Sequence, residues 1–252
     1  MWGGFAAPQK CPCPELSGDR YNPEVDPEEN TVSLSAIAIA PTESTEAEPY
    51  LFVGLHGWGA NAQDLATLAP YMQLADCPLR FPDAPLPHPY APGGRMWYGF
   101  PENYDFSPGH DFEAQSDLQT SRQLLTDWLH KLGADTGIPL ERTILAGFSQ
   151  GGAMTLDVGL SLPLAGLIVM SGYLHGELRQ GNPPPPPVIQ VHGRQDPVVP
   201  VQVARQTQDQ LAAAAIAVEY YEFDMGHEIQ LDSLAKIRSF VQQIRDTPHP
   251  SP

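Results

Sequence analysis

The sequence is short of positive charge: 13 Lys and Arg stand against 30 Asp and Glu, a formal net charge of -17 at pH 7. No stripe of basic residues is available to neutralise phosphates, which argues against a nucleic-acid partner and disfavours anionic lipid surfaces. Solubility is the inference that remains. Cysteine is scarce as well. Cys11, Cys13 and Cys77 make an odd number in a chain of 252 residues, too large to depend on disulfides, which suits a reducing, cytoplasmic setting. Cys11 and Cys13 also lack the two-residue spacer of a redox pair or half a zinc site. No apolar run is long enough to span a bilayer. The segment from Met1 to Pro8 has neither a charged start nor a sufficient apolar stretch, so no secretory signal is read there. The acids and histidines show no ligand spacing such as two histidines one helical turn apart, so neither a metal nor a cofactor is expected.

What is present is a regular alternation. Residues 1–30 are rich in Pro, Gly and acids without apolar periodicity and read as an irregular N-terminal extension. From Thr31 the pattern becomes ordered, and residues 31–247 read as a single domain, long enough for one sizeable α/β core. Thr31 to Ala40 alternates like a strand at a sheet edge. Tyr50 to Leu55 is continuously apolar, the mark of a strand buried on both faces. Leu65, Leu68, Ala69 and Met72 follow at helical spacing, and Cys77 to Phe81 is a weaker strand. Residues 82–109 include seven prolines, Pro82 among them, and the aromatics Trp97, Tyr98 and Phe100. A loop of that length is expected to wall a site. Leu118, Leu125, Trp128, Leu129 and Leu132 share one face of a helix predicted to end at Gly133, with Lys131 favourable in its last turn. Further strands are predicted at 167–172, 188–193 and 218–223, with helices at 201–215 and from Leu231 to Ile244. The prolines 183–187 read as a stiff surface spacer. Strands alternating with helices specify a mostly parallel central sheet with helices on both faces.

The most informative stretch is Gly147-Phe148-Ser149-Gln150-Gly151. A bare Gly-x-Ser-x-Gly occurs by chance, but here residues 142–146 supply a strand before it and residues 153–158 supply a helix after it. A strand folding directly into a helix leaves no room for side chains on either side of the serine, which is what Gly147 and Gly151 supply. Ser149 is thereby displayed at a helix start, where free N–H groups favour negative charge.

In a parallel sheet the residues just beyond each strand gather at the carboxyl edge. Ser149, Asp196 and His227 each fall there, in the chain order serine, acid, histidine. A serine hydroxyl needs a base, and neutral imidazole is the side chain suited to that near pH 7. Asp196 would hold the other ring nitrogen. Taken singly, His227 is a loop histidine and Asp196 a turn former before Pro197; together they form a Ser-His-Asp triad. His56 and His192 compete as the base, but each sits between a buried strand and a glycine and reads as structural. Asp224 competes with Asp196 but stands too close before His227. The oxyanion of an acyl-transfer intermediate needs two N–H donors, one from Gln150 after the nucleophile and one from the turn 56–59, for which Trp58 is the choice.

With these residues assembled, the sequence resembles the phospholipase/carboxylesterase group of α/β-hydrolases, which includes acyl-protein thioesterases and small bacterial carboxylesterases. The likeness rests on Leu55 to Ala60, Trp97-Tyr98, Gly147 to Ala153, His192-Gly193 with Asp196, and Met225 to Glu228. The resemblance implies an α/β-hydrolase fold, the triad Ser149, Asp196 and His227, and the backbone donors Trp58 and Gln150. Family members commonly carry Leu where Trp58 stands, so the larger ring is expected to narrow the acyl pocket. Trp58, Trp97 and Tyr98 are the expected substrate-binding residues.

The function expected is hydrolysis of carboxylic esters of short to medium acyl chains through an acyl-enzyme. Two alternatives accompany it: a lysophospholipase or acyl-protein thioesterase acting on long acyl chains, and a non-catalytic hydrolase-fold protein that binds a small ligand. The expected partners are a small-molecule or lipid-like acyl ester and, for assembly, a monomer or homodimer without stable membrane insertion.

Overall fold

Val, Ile and Leu runs bounded by Gly and Pro become strands, and the amphipathic stretches between them become the helices that cover the sheet. The computed structural model describes residues 33–43, 47–101, 104, 106, 112–179, 181 and 184–247; the predicted extension 1–30, with Thr31 and Val32, lies outside the described residues. In chain order the elements are β1 (Ala36–Ile39), β2 (Leu51–Leu55), the short helices α1 (Ala62–Ala66) and α2 (Ala69–Met72), β3 (Leu79–Pro82), and a ribbon of β4 (Leu86–Pro87) and β5 (Arg95–Met96). Then come α3 (Ser116–Thr136), β6 (Thr143–Phe148), α4 (Gln150–Gly159), β7 (Gly166–Met170), β8 (Val188–Gly193), α5 (Val201–Ala213), β9 (Val218–Phe223) and α6 (Leu231–Asp246).

A 7-stranded sheet runs in the order β1-β3-β2-β6-β7-β8-β9. Every neighbouring pair is parallel except β1 with β3, where Ile37 faces Phe81 and Ile39 faces Leu79. The alternation of side chains along each strand divides the core in two. Leu51, Val53, Leu55 and Leu145 join the side chains of α3, α4 and α5 on one face. Phe52, Ile144, Ala146 and Ile168 join those of α1, α2 and α6 on the other.

Five local expectations change. Of the described part of the first predicted strand, 33–40, only Ala36–Ile39 pairs, because β3 offers only four residues to pair with and ends at Pro82, which has no N–H. The weak strand begins at Leu79 rather than Cys77. The helical pattern over 65–72 is two helices, since Pro70 cannot continue α1: its ring would meet the carbonyl of Ala66. The helix predicted to stop at Gly133 continues to Thr136 and is closed by Gly137 in the left-handed region at φ 69°. Lys131 consequently lies before the last turn and pairs with Asp135 at 3.9 Å instead. The long loop after Pro82 contains the β4–β5 ribbon, with Leu86 opposite Met96.

Candidate active site

Ser149 occupies the turn between β6 and α4 with φ 54° and ψ -116°, a conformation that a non-glycine residue adopts only under constraint. The constraint is visible on both sides. A Cβ on Gly147 would stand 2.1 Å from the carbonyl oxygen of Gly151, and one on Gly151 would stand 2.2 Å from the carbonyl oxygen of Leu55. The Ser149 N–H donates to Met170 O on β7 at 2.8 Å, which anchors the turn to the neighbouring strand. The serine hydroxyl makes no capping bond to its own helix, so it is available elsewhere.

His227, beyond β9, and Asp196, beyond β8, converge on it. His227 Nε2 lies 2.9 Å from Ser149 Oγ, and His227 Nδ1 lies 2.7 Å from Asp196 Oδ2. The Asp196 Oδ1 atom accepts from the N–H groups of Val198 at 2.9 Å and Val199 at 2.8 Å. Burial pushes the Asp196 carboxyl up, but the His227 contact and the two amides outweigh it and hold the group below the usual carboxylate range. An ionised Asp196 favours the proton on Nδ1 of His227, which leaves Nε2 to accept from the serine hydroxyl. The Phe148 ring packs against the imidazole with centroids 4.8 Å apart.

The competing residues are otherwise engaged. His56 is buried, with Nδ1 2.8 Å from Gly57 O and Nε2 accepting from Ala84 N–H at 3.0 Å. Burial lowers its pKa. His192 donates from Nε2 to Val199 O at 2.9 Å and lies behind Asp196, with Nε2 3.5 Å from Oδ2. Asp224 is exposed and pairs with Arg194 at 2.7 Å.

The turn 56–59 lies directly against the serine: a Cβ on Gly57 would be 3.3 Å from Ser149 Cβ. This brings the Trp58 turn alongside the first turn of α4, whose N–H groups have no acceptor within the helix. The half-buried Trp58 ring meets His88 edge-on at 4.1 Å and Phe100 at 5.7 Å. Trp97 and Tyr98 are wholly buried. Their polar atoms act inside the wall: Trp97 N–H donates to Gln150 Oε1 at 2.9 Å, Gln150 Nε2 donates to Tyr98 O at 2.7 Å, and Trp97 Nε1 donates to His56 O at 3.0 Å.

Sequence reasoning missed the polar cluster behind this wall. Arg122 of α3 holds Asp157 of α4 with two bonds of 2.8 and 3.0 Å. Asp157 faces His175, and His175 bonds the Tyr98 hydroxyl. The available signal was Asp157 itself, a lone charge in the apolar run 153–160. Among the described residues no group of three or more His, Cys, Asp or Glu could hold a metal ion.

The sequence profile described as Phospholipase/Carboxylesterase matches residues 37–245. The acyl-protein thioesterase 1 of Neurospora crassa is 34% identical over 141 residues, covering 52% of this chain and 57% of its own. That of Saccharomyces cerevisiae is 29% identical over 206 residues, covering 75% and 90%. Among solved structures, the esterase PE8 superposes with a TM-score of 0.73 at 29% identity, covering 84% of this chain and all of its own. The strand-turn-helix serine, the sheet order and a profile match over most of the chain agree, and the chain belongs to the phospholipase/carboxylesterase family of α/β-hydrolases.

Proposed function

We propose that the chain hydrolyses carboxylic esters of short to medium acyl chains through an acyl-enzyme on Ser149. The observation that carries this is the pair of contacts made by His227, one to Ser149 Oγ and one to Asp196. His227 Nε2 takes the hydroxyl proton as Oγ attacks the ester carbonyl carbon. The tetrahedral oxyanion is held by the N–H groups of Trp58 and Gln150. As the intermediate collapses, His227 returns the proton to the leaving alcohol and the acyl group stays on Oγ. Water then enters, gives a proton to His227 and repeats the sequence, releasing the carboxylic acid and restoring the serine hydroxyl. Asp196 holds the ring orientation and stabilises the imidazolium throughout. Trp58 borders the acyl group, while Trp97 and Tyr98 frame the wall behind it. Residues 31–247 serve as one catalytic domain, cytoplasmic, acting as a monomer or homodimer.

A second reading keeps the mechanism and makes the substrate a long acyl chain carried on a protein cysteine, with a thiol as leaving group, or on the glycerol oxygen of a lysophospholipid. The names of the Neurospora and yeast relatives favour it. Hydrolysis of p-nitrophenyl esters from acetate to palmitate, with Ser149→Ala alongside, separates the two. A rate peaking at short chains and lost in the variant supports the ester reading. A rate rising to palmitate, with release of thiol from a palmitoyl thioester, supports the second. Unchanged turnover in Ser149→Ala would refute both.

A further inference from the structure

Gln150 and Asp157 stand seven positions apart on α4, about two turns, so they lie on one face of the helix. Both reach the same residue of the loop before α3. Gln150 bonds the main chain of Tyr98 through Nε2 at 2.7 Å, and its Oε1 accepts from Trp97 N–H at 2.9 Å. Asp157 reaches the other end of Tyr98 through His175, whose Nδ1 lies 3.6 Å from Asp157 Oδ2 and whose Nε2 lies 2.7 Å from the Tyr98 hydroxyl. The hydroxyl is also 2.6 Å from that of Tyr173. All of these groups are shielded from solvent: Tyr98 and Tyr173 are buried, and the His175 and Asp157 side chains are 2% and 5% exposed.

The protonation states follow from the partners. The paired Arg122 keeps Asp157 a carboxylate, which favours the His175 proton on Nδ1. Nε2 then accepts from the Tyr98 hydroxyl, and that oxygen accepts from Tyr173. Tyr98 is thus held at its hydroxyl by His175, which faces Asp157 of α4 at 3.6 Å, and at its carbonyl by Gln150 of the same helix face. The side-chain amide of Gln150 links this assembly to the first turn of α4.

We propose that His175, through Tyr98, is a positioning residue for the reaction: it fixes the Tyr98 carbonyl that orients Gln150, and so the backbone N–H of Gln150 that meets the oxyanion. The inference rests on the ester-hydrolase reading above. The His175 side chain is 2% exposed and bonds the Tyr98 hydroxyl, so its effect passes through Tyr98 and Gln150. Losing an oxyanion donor outright costs on the order of a hundredfold in rate, and loosening one costs less, roughly tenfold.

The test is a cycle of variants of the full chain assayed for kcat and KM on the best p-nitrophenyl ester, with thermal melting to establish folding. Gln150→Ala, which keeps its backbone N–H, His175→Ala and Tyr98→Phe are each expected to lower kcat about tenfold while KM stays within about twofold. His175→Gln, whose amide can still bond the Tyr98 hydroxyl, is expected to recover most of the loss. The double variant Gln150→Ala/His175→Ala should be no slower than Gln150→Ala alone, because the second change acts through a link already cut. Equal losses from His175→Ala in both backgrounds, or full kcat in folded His175→Ala and Tyr98→Phe, would overturn the proposal. Should His175→Ala not fold, Tyr98→Phe decides, since it removes one oxygen. The NMR signals of the Gln150 side-chain amide provide a readout independent of turnover: they should shift in Tyr98→Phe and His175→Ala and stay near their wild-type positions in His175→Gln, and no shift in the first two breaks the link to Gln150. Failure of the underlying reading is distinct, showing as wild-type turnover that Ser149→Ala does not change.

Discussion

The carboxylate of Asp196 is divided between two tasks: Oδ2 lies 2.7 Å from His227 Nδ1, while Oδ1 accepts from the amides of Val198 and Val199. This fixes the outcome of Asp196→Asn. The backbone amides require the Asn carbonyl oxygen, so the NH2 group must face His227 and forces its proton onto Nε2. A base protonated on the wrong nitrogen cannot accept from Ser149. The expected result is a fall in kcat on the order of 10⁴ with folding retained, read by single-turnover kinetics and thermal melting.

The pH dependence of activity follows from the same pair. Asp196 is held below the usual carboxylate range, so it remains a carboxylate well into the acid range and continues to orient the base. Only a neutral imidazole can accept the serine proton, so activity should fall toward acid pH. A pH profile of kcat/KM checks this, and a flat rate through the acid range would contradict His227 as the base.

Gly151→Ala is expected to cost more than about 3 kcal/mol or to prevent folding. The new Cβ would stand 2.2 Å from Leu55 O, at the end of the central strand β2, and 2.6 Å from His56 O just beyond it, both backbone atoms that cannot move aside. Gly176→Ala is the control: nothing lies within 4 Å of the added carbon, and the change should stay within about 0.5 kcal/mol. Urea denaturation of both variants reads the contrast.

Trp58→Leu should extend the acyl-chain range. The indole, packed between His88 and Phe100, fills space that a smaller side chain would vacate. The expected outcome is a rise in kcat/KM for longer p-nitrophenyl esters relative to acetate. An unchanged chain-length profile would place the pocket limit elsewhere.

Acid should weaken the fold through Asp157. Burial pushes its carboxyl up, but His175 and Arg122 outweigh burial and bring it below its ordinary value. A carboxyl with a lower pKa folded than unfolded stabilises the protein above the unfolded value, about 3.9, and loses that contribution as pH falls through the folded one. Stability should thus decline below about pH 4, and Asp157→Asn should flatten that decline while costing about 3 kcal/mol at pH 7 by leaving Arg122 without its carboxylate. Denaturation midpoints across pH 2 to 7 report both effects.

Much of the site was legible in the chain because its signals are local. The need for glycine on either side of Ser149 is a matter of a few bonds, and the structure finds the clashes those glycines avoid. The buried strands β2, β6, β7 and β8 were legible as uninterrupted apolar runs. The break between α1 and α2 was also present as Pro70, but the apolar spacing across it was read as one helix. The end of α3 was mistaken because Gly133 and Gly137 both look like stops, and only Gly137 has the left-handed backbone that closes a helix.

By itself the sequence determined the alternation of strands and helices, the strand-turn-helix around Ser149 and the strand ends from which Asp196 and His227 extend, since each depends on neighbours within a few residues. Tertiary structure alone decided which atoms meet. Parallel pairing set β6, β7, β8 and β9 side by side, and that order brings together loops from positions 149, 175, 196 and 227. The same packing buried Trp97 and Tyr98 inside the wall and tied Asp157 to Tyr98 through His175. A charge in an apolar helix announces that it has a partner, but the partner's identity is a long-range fact, fixed by how helices settle on the sheet.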